Sequence, residues 1–299
     1  MSKLLPSLSL PLFLALGFAA LPAPILAQSK DELTEIGGDK PITLRDDHAY
    51  FLFRTRSGGV SPVFLRIPSD AEMQAYDAAK REAFAKAEPA LIRKRQELIT
   101  RKETAEKAGR PFSETIPPEP AVENFNFVWD KVKNAQTVRL GRAMEKTGDE
   151  RTLLIEAPPG TYVFYGMGYG DIFHTCLCLG TVSFTAQAGR IADLGTILIE
   201  SASEKSDLPE LAGETGFGPS MNGHLVTWAA AIRPATASTP LSPLLAGKPI
   251  APADFRATGK FVAGFSFGIN RLAPIPGVLG YDRGNVLDLV ENKVAANQY

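Results

Sequence analysis

The sequence predicts a mainly β protein, an antiparallel β-sandwich with a long helical insertion, a kinked helix or helical hairpin, at about 70–108. Two patterns carry that expectation. Short apolar or alternating runs recur about every ten residues with Gly and Pro between them, the rhythm of sandwich strands. One stretch breaks this rhythm with an Ala-, Glu-, Lys- and Arg-rich run of helical character. No regular alternation of strand and helix accompanies the strand-like runs, which argues against a parallel βαβ sheet.

The chain begins with Met1-Ser2-Lys3, a short cationic start, and continues through an almost wholly apolar run from Leu8 to Leu21. Pro22 and Pro24 follow, then Ile25-Leu26-Ala27-Gln28. A small residue at Ala27 with an aliphatic one two positions earlier suits a signal-peptidase pocket, so 1–27 is predicted to be a cleaved signal peptide. The run falls short of the ~20 residues that a membrane span needs, and no later window approaches that length. The mature chain is therefore expected to be exported, to the periplasm or outer surface of a Gram-negative cell, with no transmembrane span after cleavage.

Within it, 28–200 is expected to form the sandwich. Ala49–Arg54 and Pro62–Ile67 flank Ser57-Gly58-Gly59 and read as a β-hairpin. Ser69-Asp70-Ala71-Glu72 is a capping box, in which a hydroxyl and a carboxylate satisfy two backbone N–H groups at a helix start. The helical run continues to Lys107 and stops at Gly109 and Pro111. Phe84, Leu91 and Leu98 recur along one apolar stripe, with Tyr76, Ala87 and Ile99 near it, and Pro89 is expected to kink or divide the helix. After Pro117, Pro118 and Pro120, strands are expected at 125–129, 137–140, 152–156, 161–165, 176–184 and 189–199. The segment 201–258, rich in Pro, Gly and Ala, reads as a surface excursion. Strands in 259–299 complete the same domain, with a turn at Asp282-Arg283-Gly284-Asn285.

Composition narrows the functional classes. With 32 basic and 33 acidic residues the net charge is −1, so no global field gathers nucleic acid or acidic lipid. Two Cys cannot build a disulfide framework or a four-Cys zinc site. The sharpest local motif is His174-Thr175-Cys176-Leu177-Cys178. On a strand His174, Cys176 and Cys178 share one face, which makes them a candidate soft-metal set for copper(I) or zinc. The same pair of thiols equally suits core filling, or a strained disulfide in an oxidising compartment.

Asp46-Asp47-His48, and Asp171 before His174, place carboxylates beside imidazoles, as general-base chemistry requires and as polar turns also do. His224 follows a Gly-rich loop containing Ser220, without a Gly-x-Ser-x-Gly elbow. Gly141–Thr147 lacks the Gly before Lys that a phosphate loop needs. Arg93-Lys94-Arg95 is a basic run diluted by Glu88, Glu97, Glu103 and Glu106, the pattern of a solvated helix face. No catalytic set is assembled.

Ala157-Pro158-Pro159-Gly160-Thr161-Tyr162-Val163-Phe164, Gly180–Phe184 and Ala188–Gly195 together resemble PEGA-like and related small β-sandwich modules of exported bacterial envelope proteins and lipoproteins, over about 153–200. Residues 201–299, most distinctively Arg271–Leu279, resemble an uncharacterised family of exported alphaproteobacterial proteins. The resemblance implies a binding or scaffolding role towards an envelope protein or cell-surface component, with no catalytic residues to carry over. A metal-binding or thiol-redox role at His174, Cys176 and Cys178 is the alternative. A hydrolase using Asp47, His48 and His224 is the third reading.

Overall fold

Ala49–Thr55 is a continuous run of buried residues, and its two faces fill two different cores. The odd-numbered aromatics Phe51 and Phe53 enter the main core, whereas Tyr50 and Leu52 enter a smaller one on the other side. A strand covered on both faces belongs in the centre of a sheet. The computed structural model that shows this describes residues 33–56, 61–129, 135–138, 141–168, 175–176, 181–201, 207–211, 228–259, 272–282 and 285–296.

Sixteen strands and one α-helix occur among the described residues. In chain order they are β1 (Thr34–Ile36), β2 (Ala49–Thr55), β3 (Ser61–Arg66), α1 (Asp70–Lys107), β4 (Ala135–Thr137), β5 (Glu145–Thr147), β6 (Glu150–Ala157), β7 (Gly160–Gly168) and β8 (Thr175–Cys176). There follow β9 (Val182–Ala186), β10 (Ile191–Ser201), β11 (Trp228–Arg233), β12 (Ile250–Pro252), β13 (Arg256–Ala257), β14 (Leu279–Asp282), β15 (Asn285–Asp288) and β16 (Lys293–Val294).

The first sheet runs β1-β6-β2-β10-β11, with β12 beside β10 and β5 beside β6. The second runs β13-β9-β7-β3-β4, with β8 beside β7, and a small third sheet runs β14-β15-β16. The main core lies between the two larger sheets. Phe51 sits at its centre, with ring centroids 4.9 Å from Phe64 and 5.5 Å from both Tyr162 and Phe184. Tilted and edge-on contacts of this kind match the quadrupoles of the rings. The Tyr162 hydroxyl, though buried, donates to the Pro158 carbonyl at 2.7 Å.

Mainly β character and sandwich-like packing are thus present, but four expectations change. First, the first sheet is mixed: β10 runs parallel to both β2 and β12. Neighbours far apart in sequence need no tight turn between them, so local turn signals do not dictate their direction.

Second, β2 and β3 do not pair as a hairpin. They enter opposite sheets, so that Phe51 and Phe53 meet Phe64 across the core. Third, 125–129 is not a strand, because its alternating aromatics pack on α1. Fourth, the segment 201–258 supplies β11, β12 and β13, and buries Leu245 and Phe255.

The helix is a single element through Pro89, with no hairpin. Its neighbours β3 and β4 pair antiparallel, Leu65 opposite Ala135. Among the described residues no helix is long and apolar enough to cross a membrane.

One irregularity orders the first sheet. The register of β10 against β2 shifts between Asp193 and Thr196. Gly195 sits in that bulge at φ +84°, where an added Cβ would lie 2.0 Å from the Arg233 carbonyl oxygen. Only Gly accepts both the backbone angle and the contact.

Candidate functional site

Two places gather polar side chains: the outer face of the first sheet, and the start of helix α1 after β3.

On the outer face, strand alternation places His48, Tyr50, Leu52 and Arg54 in one row. His48 Nδ1 lies 2.9 Å from Asp47 Oδ1, and its Nε2 is 3.7 Å from Glu156 Oε1. The Tyr50 hydroxyl donates to Glu156 at 3.0 Å and accepts from the Arg45 backbone N–H at 2.8 Å. Arg45 also grips Asp47 through two bonds, at 3.2 and 3.0 Å.

The hydrogen bond to His48, helped by Arg45, holds the Asp47 carboxyl below its usual range. Burial pushes the Tyr50 hydroxyl up, with Glu156 adding to it. The His48 carbonyl accepts from the Gly189 N–H at 2.7 Å, and Gly189 takes φ +70° there. The imidazole is thus clamped between two carboxylates and ties the 42–48 loop to the ends of β6 and β10. Nδ1 is within hydrogen-bonding distance of Asp47, whereas Nε2 faces Glu156 from beyond it.

Further along the row Arg54 donates to Asp193 at 2.8 and 3.1 Å and to the Pro240 carbonyl at 3.1 Å. Asp193 also accepts from the Gly195 N–H at 2.9 Å. This bidentate pair is almost fully buried. The 234–250 chain thereby closes over the outer face.

Of the candidates read from sequence, the structure brings Asp47 to His48 and leaves Asp46 in an exposed turn. Asp171, His174, Cys178, Ser220 and His224 lie outside the described residues, and so does the 1–27 segment. Of the metal motif only the Thr175–Cys176 backbone is placed, in β8, with Cys176 the register partner of Met167. No group of three or more His, Cys, Asp or Glu able to hold a metal ion occurs among the described residues. Sequence reasoning missed Glu156 as the residue that faces His48 and accepts from Tyr50. The signal was there in principle: pairing β2 with β6 sets Tyr50 opposite Glu156.

The arm starts at Ser69, whose hydroxyl accepts from the Glu72 N–H at 3.3 Å while the Glu72 carboxylate accepts from the Ser69 N–H at 2.8 Å. The same carboxylate takes both Arg66 guanidinium nitrogens, at 3.0 and 2.6 Å, which joins the helix to β3. That bidentate contact, reinforced by Ser69, holds Glu72 down at about 2 against its partial burial.

Beyond the junction the apolar stripe is covered by the chain's own return. Tyr76 packs on Phe127 and Trp129, and Phe84 on Phe125. Arg95 donates to the Pro117 carbonyl at 3.1 Å, and Arg101 pairs with Glu114. The stripe is therefore an internal seam. The opposite face carries Ala78, Ala85, Pro89, Ile92, Arg93 and Gln96, all exposed.

No family model, curated protein or solved structure matches this chain.

Proposed function

We propose that the chain is an exported, non-enzymatic binding or scaffolding protein of the bacterial cell envelope, with α1 and its return segment as the interaction element. The leader pattern at 1–27 and the likeness of 153–200 to envelope sandwich modules support export and class. The observation that carries the reading is the closed seam under α1. A helix about 57 Å long, with its apolar stripe filled by its own chain and its far face bare, is stable without a partner and free to meet one. Because β3 and β4 pair directly, the arm is an insertion between neighbouring strands.

Site-specific photocrosslinking in cells tests the reading. A crosslinker at Gln96, on the bare face, is expected to capture a defined partner. One at Thr185, exposed on β9, is expected to capture none. Capture from Thr185 alone, or from neither, overturns it.

A second reading, a soft-metal or thiol role at His174, Cys176 and Cys178, has one observation in its favour. The register partner of Cys176 is Met167, so a second sulfur-bearing residue stands at the same position in the neighbouring strand. Retention of copper(I) or zinc by the purified protein, lost in Cys178→Ser, is the expected result. Unchanged metal content and redox behaviour in that variant removes the reading.

A further inference from the structure

We propose that His48 is a proton-operated latch. Protonated, its imidazole bonds Asp47 and Glu156 at once and holds the 42–48 segment down on the outer face of the first sheet; neutral, it bonds only one of them and lets that segment loosen.

The segment is built as a strap. Residues 42–48 lie between β1 and β2 and belong to neither strand. Ile42 is buried and Leu44 half-buried, and both pack in the smaller core with Tyr50, Leu52, Leu154 and Ile191. Two apolar side chains thus roof β2 and β6, and a polar cluster fastens the end of the strap that leads into β2.

The charges in that cluster balance only with a proton on His48. Two carboxylates face its ring: Asp47 from the strap, 2.9 Å from Nδ1, and Glu156 from β6, 3.7 Å from Nε2. Arg45, also on the strap, bonds Asp47 and stands 3.9 Å from Glu156. Tyr50 from β2 donates to Glu156 and stays a neutral phenol, its hydroxyl being pushed up by burial. Asp46 in the same turn and Arg190 at the start of β10 add one charge of each sign. Two carboxylates against one guanidinium leave one negative charge in excess. An imidazolium cancels it.

Hydrogen-bonding capacity points the same way. A neutral imidazole has one N–H and an imidazolium has two, so only the charged ring can donate to both carboxylates. The described geometry is that of a ring bonded to Asp47 with Nε2 poised just short of Glu156. His48 is only 8% exposed, which limits how far water can replace the second bond and makes a charge-assisted one count for more. The Gly189 N–H holds the His48 carbonyl at 2.7 Å in either charge state, so the ring stays at its post while the residues before it are held or released. Imidazoles change charge between about pH 5 and 8, a range in which ordinary carboxylates and guanidiniums do not.

Amide hydrogen exchange of the purified protein at about pH 8 and about pH 5, corrected for the intrinsic pH dependence of exchange, tests this. Protection across 42–48 is expected to be about tenfold higher at the lower pH, the order of one charge-assisted hydrogen bond, with β7 and β9 unchanged. His48→Gln keeps a donor for Asp47 but takes up no proton, and is expected to give equal protection at both pH values. Glu156→Gln removes the excess negative charge and sets an amide donor opposite Nε2, so it is expected to protect the strap at the higher pH as fully as the wild type does at the lower. Protection of β7 and β9 reports in the same experiment that each variant is folded. Replacing His174 and His224 with Asn is expected to leave the wild-type response in place. Flat or falling protection in the wild type, a rise shared equally by β7 and β9, a rise that survives in His48→Gln or vanishes with His174 and His224, or a wild-type response in Glu156→Gln overturns the inference.

Discussion

At Glu72 two demands meet, since one carboxylate caps α1 through Ser69 and also anchors the helix to β3 through Arg66. Its ordinary value of 4.5 is drawn down to about 2 in the folded protein. Because the folded form holds the proton more weakly than the unfolded form, the contribution is complete above pH 4.5 and drains away as the pH falls towards 2. A displacement of that size corresponds to about 3 kcal/mol, which the partial exposure of the side chain trims to about 2. Glu72→Gln is expected to lose about 2 kcal/mol at pH 7 in urea titration, with the gap to wild type closing between pH 4.5 and 2; a constant gap refutes the assignment. Arg54 and Asp193 differ in kind, being almost fully buried. Arg54→Met leaves a stranded carboxylate and is expected to cost about 3–5 kcal/mol. Adding Asp193→Asn removes the charge while keeping an acceptor for the Gly195 N–H, so the double variant is expected to be the more stable of the two. Equal stabilities would locate the cost in lost packing instead.

At the scale of the elements, the return segment is what converts a charged, Ala-rich helix into a stable arm. Phe84 is one of two buried residues on α1, and its ring lies 5.6 Å from that of Phe125. Phe84→Ala is expected to cost about 2–3 kcal/mol and to raise amide exchange across 112–129 while β2, β6 and β10 stay protected. Uniform loss of protection would mean that the arm and the sandwich open as one unit. The same segment shows why elements were easier to read than their partners. The alternation Phe125, Phe127, Trp129 was legible, and it does put three rings on one side, but period two does not say whether a sheet or a helix receives them. The Ser69–Glu72 cap was legible to the residue because it is local. The split of β2 and β3 into facing sheets was not, because the turn composition between them suits either outcome and only the demand of Phe64 for Phe51 and Phe53 decides it. At the outer face, Asp47 beside His48 was visible in sequence as adjacent letters; Glu156 completes the clamp from more than a hundred residues away, through strand register alone.

For the molecule as a whole, the direct pairing of β3 with β4 separates two jobs that one chain performs. Leu65 stands opposite Ala135, so β3 and β4, which flank α1 in the chain, are hydrogen-bonded neighbours in the second sheet. The second sheet draws on β7 and β9 for its main partners on the other side of β3, and the aromatic core around Phe51 includes no residue of α1. The arm in turn keeps its own seam of rings between Tyr76 and Trp129. Two clusters of apolar side chains that share no residue among those described are expected to melt with unequal stabilities. Replacing 68–133 with a short Gly-containing turn therefore joins strands that are already neighbours, and loop closure favours the shorter connection. Arg66 loses its bidentate bond to Glu72 in this variant, while the strand pairing of β3 with β4 and β7 does not depend on the excised residues. The shortened chain is expected to keep the β signal in far-ultraviolet circular dichroism, to lose the helical one, and to unfold in a single cooperative transition. If it instead collapses into an aggregating or molten state, the arm is part of the sandwich's own stability, and the division of labour between a folded base and a projecting contact surface does not hold.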